Sequence, residues 1–90
     1  MSTSRNAGYE VFVLRPALKD LDGLEASLFE RLVKKIRTLS KDARPPGCLK
    51  LTGEEGYRLR VGDYCLLYRI DDAGKRVYIY RIKHRKDVYS

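Results

Sequence analysis

Cysteine is scarce in this 90-residue chain: Cys48 and Cys65 are the only two. Two thiols make no disulfide framework, and without a Cys-x-x-Cys pair nothing is spaced for a thiolate metal site or a dithiol redox centre. A reducing compartment, the cytoplasm, is expected. Histidine is scarcer still, with His84 alone. Long apolar runs are missing too: the N-terminal region has none beyond residues 11–14, so neither a signal peptide nor a membrane span is expected. Carboxylates do not cluster in the second half. There Glu54, Glu55, Asp63, Asp71 and Asp72 fall in expected turns and Asp87 lies near the end, which is not the converging set that a divalent-metal nuclease needs. No metal and no cofactor are expected.

What the chain does have is positive charge. Nineteen Lys and Arg stand against 12 Asp and Glu, a formal charge of +7, which favours a phosphate-rich or acidic partner. Residues 44–90 hold 11 basic and 6 acidic side chains while residues 1–43 hold 8 and 6, so the basic surface belongs mainly to the second half. A chain of this length makes one domain that buries roughly 60% of its unfolded surface, enough for a thin core.

Residues 1–8 are expected to form a flexible leader, followed by one domain over 9–90. Tyr9-Glu10-Val11-Phe12-Val13-Leu14 predicts a first strand. Pro16 suits a first helical position, Leu18 and Leu21 share a face, and Gly23 ends that short helix. From about 24 to 40, Leu28, Phe29, Leu32, Val33, Ile36 and Leu39 form one apolar stripe, with Glu30, Arg31, Lys34, Lys35 and Arg37 outside it. The two segments predict a helical hairpin that lays its stripe on a sheet. Arg44-Pro45-Pro46-Gly47 cannot continue a helix and serves as the connector.

A short strand over 48–51 and a turn over 53–56 come next, and then a meander. Tyr57-Arg58-Leu59-Arg60-Val61, a Gly62-Asp63 turn and Tyr64-Cys65-Leu66-Leu67-Tyr68 predict a hairpin, and the closing Arg81-Ile82-Lys83-His84-Arg85-Lys86-Asp87-Val88-Tyr89 makes a basic, aromatic tail. A two-residue loop pairs Val61 with Tyr64, Leu59 with Leu66 and Arg60 with Cys65. Arg58 and Arg60 then share one face with Cys65 inside it, and Tyr57, Leu59 and Val61 share the other. Val77, Tyr78, Ile79 and Tyr80 suit either face, so the last strand's register stays open.

Metal-free cleavage of RNA needs a group to take the 2′-hydroxyl proton, cations to stabilise the phosphorane-like charge and a donor for the departing 5′-oxygen. Arg, Lys, His and Tyr can fill those roles, and these are the residue types of the basic face and tail. Tyr57, Tyr64, Tyr68, Tyr78, Tyr80 and Tyr89 are candidate base-stacking surfaces. Blander explanations stand beside each. Arg58 and Arg60, taken singly, match solvated sheet decoration, His84 an exposed side chain near a strand end, and Tyr57, Tyr64 and Tyr68 core aromatics. Tyr89, just after a basic run, has less reason to be core.

The blocks in order resemble the RelE/ParE superfamily of bacterial toxin–antitoxin toxins: strand, helical hairpin, Arg-Pro-Pro-Gly at 44–47, Leu49-Lys50-Leu51 before Gly53, Tyr57-Arg58-Leu59-Arg60-Val61-Gly62-Asp63-Tyr64, and His84-Arg85-Lys86-Asp87-Val88-Tyr89. The resemblance covers about residues 9–89. It implies a small α+β domain with a mostly antiparallel, four- to five-stranded sheet and the helical hairpin packed on it. For the RelE branch it implies a metal-free endoribonuclease acting on mRNA in the ribosomal A site, beside 16S rRNA. A cognate antitoxin partner is implied as well, with a heterotetramer as one form of the complex.

By that resemblance Arg58 and Arg60 contact the scissile phosphate, Lys83 and Arg85 are basic positions near the cleavage point, and Tyr89 is linked to activating the 2′-hydroxyl. His84 assists proton transfer, and Lys50, Arg81 and Lys86 are further RNA contacts. Cys65 departs from the pattern, since the hairpin usually reads Gly-Asp-Tyr-Arg and that arginine neutralises transition-state charge. Its loss removes roughly 2–4 kcal/mol of transition-state stabilisation, either through drift or as a detoxifying change. The alternatives are a ParE-like inhibitor of DNA gyrase and a catalytically dead homologue that only binds antitoxin.

Overall fold

The computed structural model describes residues 8–53 and 55–88. The expected leader, apart from Gly8, and the expected catalytic Tyr89 lie outside the described residues, as does Glu54. Alternation in the first strand, β1 (Glu10–Val13), sends Val11 and Val13 toward the core, with Phe12 on the opposite side. Helix α1 (Arg15–Asp22) begins with Pro in its first turn and stops at Gly23; Ala17 and Leu21 are its buried pair. Helix α2 (Ala26–Thr38) buries Leu32 and Ile36, with Leu28 partly covered and Leu39 fully buried just past its end. Phe29 and Leu18 depart from the expected packing: they are 40% and 49% exposed. Phe29 lies about 100° round the helix from Leu28, beyond the narrower line through 28, 32, 36 and 39 that meets the sheet.

Among the described residues five strands run in the order β1-β5-β4-β3-β2. They comprise β1, β2 (Leu49–Lys50), β3 (Tyr57–Val61), β4 (Tyr64–Asp71) and β5 (Arg76–His84). All neighbours are antiparallel except β1 and β5, which pair in parallel through Val11 with Val77 and Val13 with Ile79. The α+β architecture with a mostly antiparallel sheet and helical hairpin is as the sequence implies. Leu59, Val61, Leu66, Tyr68, Val77, Ile79 and Ile82 meet the helices in a single core. Tyr68, fully buried, donates its hydroxyl to the carbonyl of Ala43 at 2.9 Å, which satisfies the one polar group it carries inward.

Two local features shape the far side of the sheet. Tyr68 pairs with Ile79 whereas Leu67 pairs with Arg81, so Tyr80 is an extra residue at a β-bulge. That bulge resolves the open register: Val77 and Ile79 face the helices and Tyr78 faces away. Secondly, β1 covers β5 only as far as Ile79. Beyond it α1 takes over, and Asp20 accepts the Ile82 N–H at 2.8 Å, so the strand edge is covered rather than left bare. The expected basic tail is extended only to His84; a helical turn, α3 (Arg85–Val88), follows, fixed by the Arg85 N–H donating to the Asp63 carbonyl at 2.7 Å.

Gly56, at φ +123°, sits where the chain enters β3, and a Cβ there would lie 2.9 Å from the Tyr68 carbonyl oxygen. Gly56→Ala is expected to lower stability by about 1–3 kcal/mol. Gly23, at φ −90° with nothing within 4 Å of its virtual Cβ, is expected to accept alanine within about 0.5 kcal/mol. Urea denaturation of the two variants checks the contrast.

Candidate functional site

The sheet has one face under the helices and one open face, and its register sorts the candidate residues between them. Across β3, β4 and β5, Arg60 lies opposite Cys65 and Cys65 opposite Lys83. The next row holds Arg58, Leu67 and Arg81. Strands about 4.8 Å apart put Arg60 and Lys83 about 10 Å from each other, a gap into which one phosphate fits. Strict alternation along β5 would have placed Lys83 with Val77 and Ile79; the bulge at Tyr80 moves it to the open face. Arg60 also folds back on the turn, its Nε donating to the Gly62 carbonyl at 2.8 Å.

Cys65 is 0% exposed although it belongs to the open face. Strand alternation directs any side chain at this position to the open face.

Other candidates stand elsewhere. Lys50 pairs with Tyr57, on the helix side, where its Nζ lies 5.6 Å from the Tyr57 ring centre. His84, also on the helix side, meets the Tyr64 ring edge-on at 5.2 Å and accepts the Lys86 N–H on Nδ1 at 3.3 Å. It lines a cleft of about 590 Å³ between the α1–α2 turn and the β3–β4 turn. Arg85 and Lys86 are exposed on α3, with Arg85 Nε 3.7 Å from Asp63 Oδ1.

Arg81 makes a two-pronged pair with Asp20, Nε to Oδ2 at 2.9 Å and Nη2 to Oδ1 at 3.3 Å. Asp20 is a residue that sequence reasoning missed. Its burial pushes the carboxyl up, but hydrogen bonds from Arg81 and the Ile82 N–H, with the charges of Arg81 and Lys83, outweigh that and hold it below the ordinary value. Nothing in the local pattern marks Asp20, since an acid midway along a short helix reads as solvated.

At the other end of the sheet, Arg44 grips Asp72 through Nη1 and Nη2 at 3.2 and 2.9 Å while its Nε donates to the Tyr57 hydroxyl at 3.0 Å. The Arg44 hydrogen bonds, joined by one from the Tyr9 hydroxyl, hold the Asp72 carboxyl down to about 2. This network ties the connector to β1, β3 and the β4–β5 turn.

The open face thus presents cations in rows, suited to holding an anionic backbone and to stabilising charge that builds on a phosphate. Among the described residues no three His, Cys, Asp or Glu side chains converge on a point that could hold a metal ion. No helix among them is long and apolar enough to cross a membrane.

The family model described as ParE toxin of the type II toxin–antitoxin system parDE matches residues 11–89. Among solved structures, the RelBE2 toxin–antitoxin complex of Mycobacterium tuberculosis is similar at 32% identity and a TM-score of 0.79, over 88% of this chain and 100% of that one. The archaeal RelE–RelB complex of Pyrococcus horikoshii is similar at 26% identity and 0.75, over 87% and 96%. Isolated RelE of E. coli is similar at 26% and 0.73, over 90% of each chain. A search of curated proteins finds no match.

Asp20→Ala leaves the Ile82 amide and the Arg81 guanidinium without their acceptor, and is expected to lower stability at pH 7 by about 1–3 kcal/mol. Folded Asp20 ionises below the value of about 3.9 it has in the unfolded chain, so its contribution is complete above that value and is lost as pH falls through the folded one. Denaturation of both proteins from pH 7 to pH 3 should therefore show the difference shrinking below about pH 4.

Proposed function

Because the chain belongs to the ParE toxin family of type II toxin–antitoxin systems, within the RelE/ParE superfamily, we propose that it is a ribosome-dependent mRNA endoribonuclease weakened by Cys65. The row of Arg60, Cys65 and Lys83, with Arg58 one step along β3, is the observation that carries this assignment. In the cut, the 2′-oxygen attacks the adjacent phosphorus and the bond to the 5′-oxygen breaks. A cyclic phosphate and a 5′-hydroxyl result. The proton leaving the 2′-hydroxyl goes to a base, and another proton reaches the departing oxygen. Arg58, Arg60 and Lys83 stabilise the extra negative charge on the phosphoryl oxygens. Tyr89 is assigned to activation of the 2′-hydroxyl, and Arg85 and Lys86 to the backbone nearby. His84, set on the other face, is a weaker candidate for the proton donor.

The identity to the RelBE2 toxin–antitoxin complex favours this branch. The ParE family model favours a second, a gyrase inhibitor that works by binding a protein. Purified ribosomes carrying a defined mRNA, run beside a gyrase assay, separate them. Codon-positioned cuts support the nuclease; gyrase-dependent DNA breakage without cuts supports the second branch and overturns the first. On programmed ribosomes Arg60→Ala should slow cutting by about a hundredfold or more, and Cys65→Arg should raise it by about a hundred- to a thousandfold. No gain from Cys65→Arg would remove the idea that this position is attenuating.

The partner is a cognate antitoxin, as in the related complexes, and the working compartment is the cytoplasm. An acidic, amphipathic segment that covers the cationic face meets complementary charge. Its affinity for the toxin is expected to fall as salt rises; titration calorimetry at two ionic strengths that shows no change would place the cationic face outside the interface.

A further inference from the structure

The open face does not end at its cations. Two residues beyond Leu67 on β4 comes Arg69, which the register places opposite Tyr78 on β5, and Tyr78 in turn opposite Phe12 on β1. The Phe12 and Tyr78 rings are stacked, 5.5 Å between centres and 16° between planes. Tyr80, the bulged residue, lies alongside, with the Arg69 guanidinium 5.3 Å from its ring centre and its hydroxyl 3.4 Å from the virtual Cβ of Gly56. Gly56, with no side chain, leaves that space to the tyrosine. The three rings are half-buried and Arg69 is exposed. The strip adjoins a pocket of about 400 Å³ at the sheet end, whose lining includes Lys50, Arg69 and Tyr78 together with the carboxylates of Glu55 and Asp71.

Of the tyrosines that sequence alone offers as stacking surfaces, Tyr57, Tyr64 and Tyr68 pack against or within the core. Tyr78 and Tyr80 do not. Each step of two residues along a strand advances about 6.6 Å, so the aromatic strip lies about 13 Å from the row of Arg60, Cys65 and Lys83. A stretched single strand of RNA covers that distance in about two nucleotides, with phosphates passing Arg58 and Arg69 on the way.

Building on the assignment of the open face to RNA, we propose that Phe12, Tyr78 and Tyr80, with Arg69, form a base-stacking subsite for single-stranded RNA about two nucleotides from the cleavage point. The ligand is identified by its chemistry. Flat, sequence-tolerant rings beside guanidinium groups suit unpaired bases on an anionic backbone, and the chain's net charge of +7 is of the complementary sign. The strip selects for an unpaired base there, not for its identity.

The test uses the full chain and two probes of equal charge: a 2′-O-methyl hexauridylate, which cannot be cut because its nucleophile is blocked, and an abasic hexamer with the same phosphates. Bound hexauridylate should shift the ring proton signals of Phe12 and Tyr78, and the abasic hexamer should not. Its bases should add about tenfold in affinity, most of which Tyr78→Val removes while binding of the abasic probe stays unchanged; Arg60→Gln should weaken both probes alike. Unmoved ring signals with hexauridylate bound, or a base-dependent gain that survives Tyr78→Val, would overturn the subsite. Failure of the nuclease assignment looks different: programmed ribosomes stay uncut while the base-dependent gain persists.

Discussion

The cross-strand neighbours of the site follow from a two-residue turn at Gly62 and Asp63. Gly62 takes φ +62°, and a side chain there would press against the Arg31 guanidinium at 3.2 Å. With the loop held to two residues, Val61 must face Tyr64 and the pairing continues without freedom: Arg60 with Cys65, Leu59 with Leu66, Arg58 with Leu67. One residue more or fewer would send the arginines under the helices and the leucines into water. Burying Leu59 and Leu66 and setting out Arg58 and Arg60 are therefore one requirement. The core enforces the spacing of the cations.

That coupling explains how so small a protein can carry a charged open face. Its helices cover only one side of the sheet, and the core is closed at one end by the Tyr68 hydroxyl on Ala43 and along one edge by Asp20 on Ile82. The other side is free to hold like charges in rows, a costly arrangement for folding that an anionic ligand relieves. Ion pairs that the fold uses lie away from its centre: Arg81 with Asp20 along the edge covered by α1, and Arg44 with Asp72 at the far end of the sheet, where Arg44 also meets Tyr57. The centre keeps Arg58, Arg60 and Lys83 together.

Much of this was legible in the residues. The hairpin and its register followed from alternation and a Gly-Asp turn, and both helices from an apolar stripe with Pro16 and Gly23 as punctuation. Legibility failed where periodicity did. In β5 the apolar residues Val77, Ile79 and Ile82 are not in phase with each other, and only the bulge reconciles them, so the faces of Lys83 and His84 could not be read in advance. The exposure of Phe29 depended on how wide a strip of α2 the sheet accepts, a tertiary matter. Asp20 and Arg81, 61 positions apart, are joined by topology alone. For the site, residue types and pairing marked Arg58, Arg60 and Cys65; the division of Lys50 and His84 to the other side needed the folded sheet.

The bulge at Tyr80 has one further implication, for descent. An extra residue in a ladder is a place where length can change without shifting the partners on either side of it: remove Tyr80 and Leu67 still meets Arg81, and Cys65 still meets Lys83. Natural variants that gain or lose that residue would reshape the strip around Tyr78 and Arg69 while the row of Arg60, Cys65 and Lys83 kept its spacing, so the two regions are free to diversify at different rates.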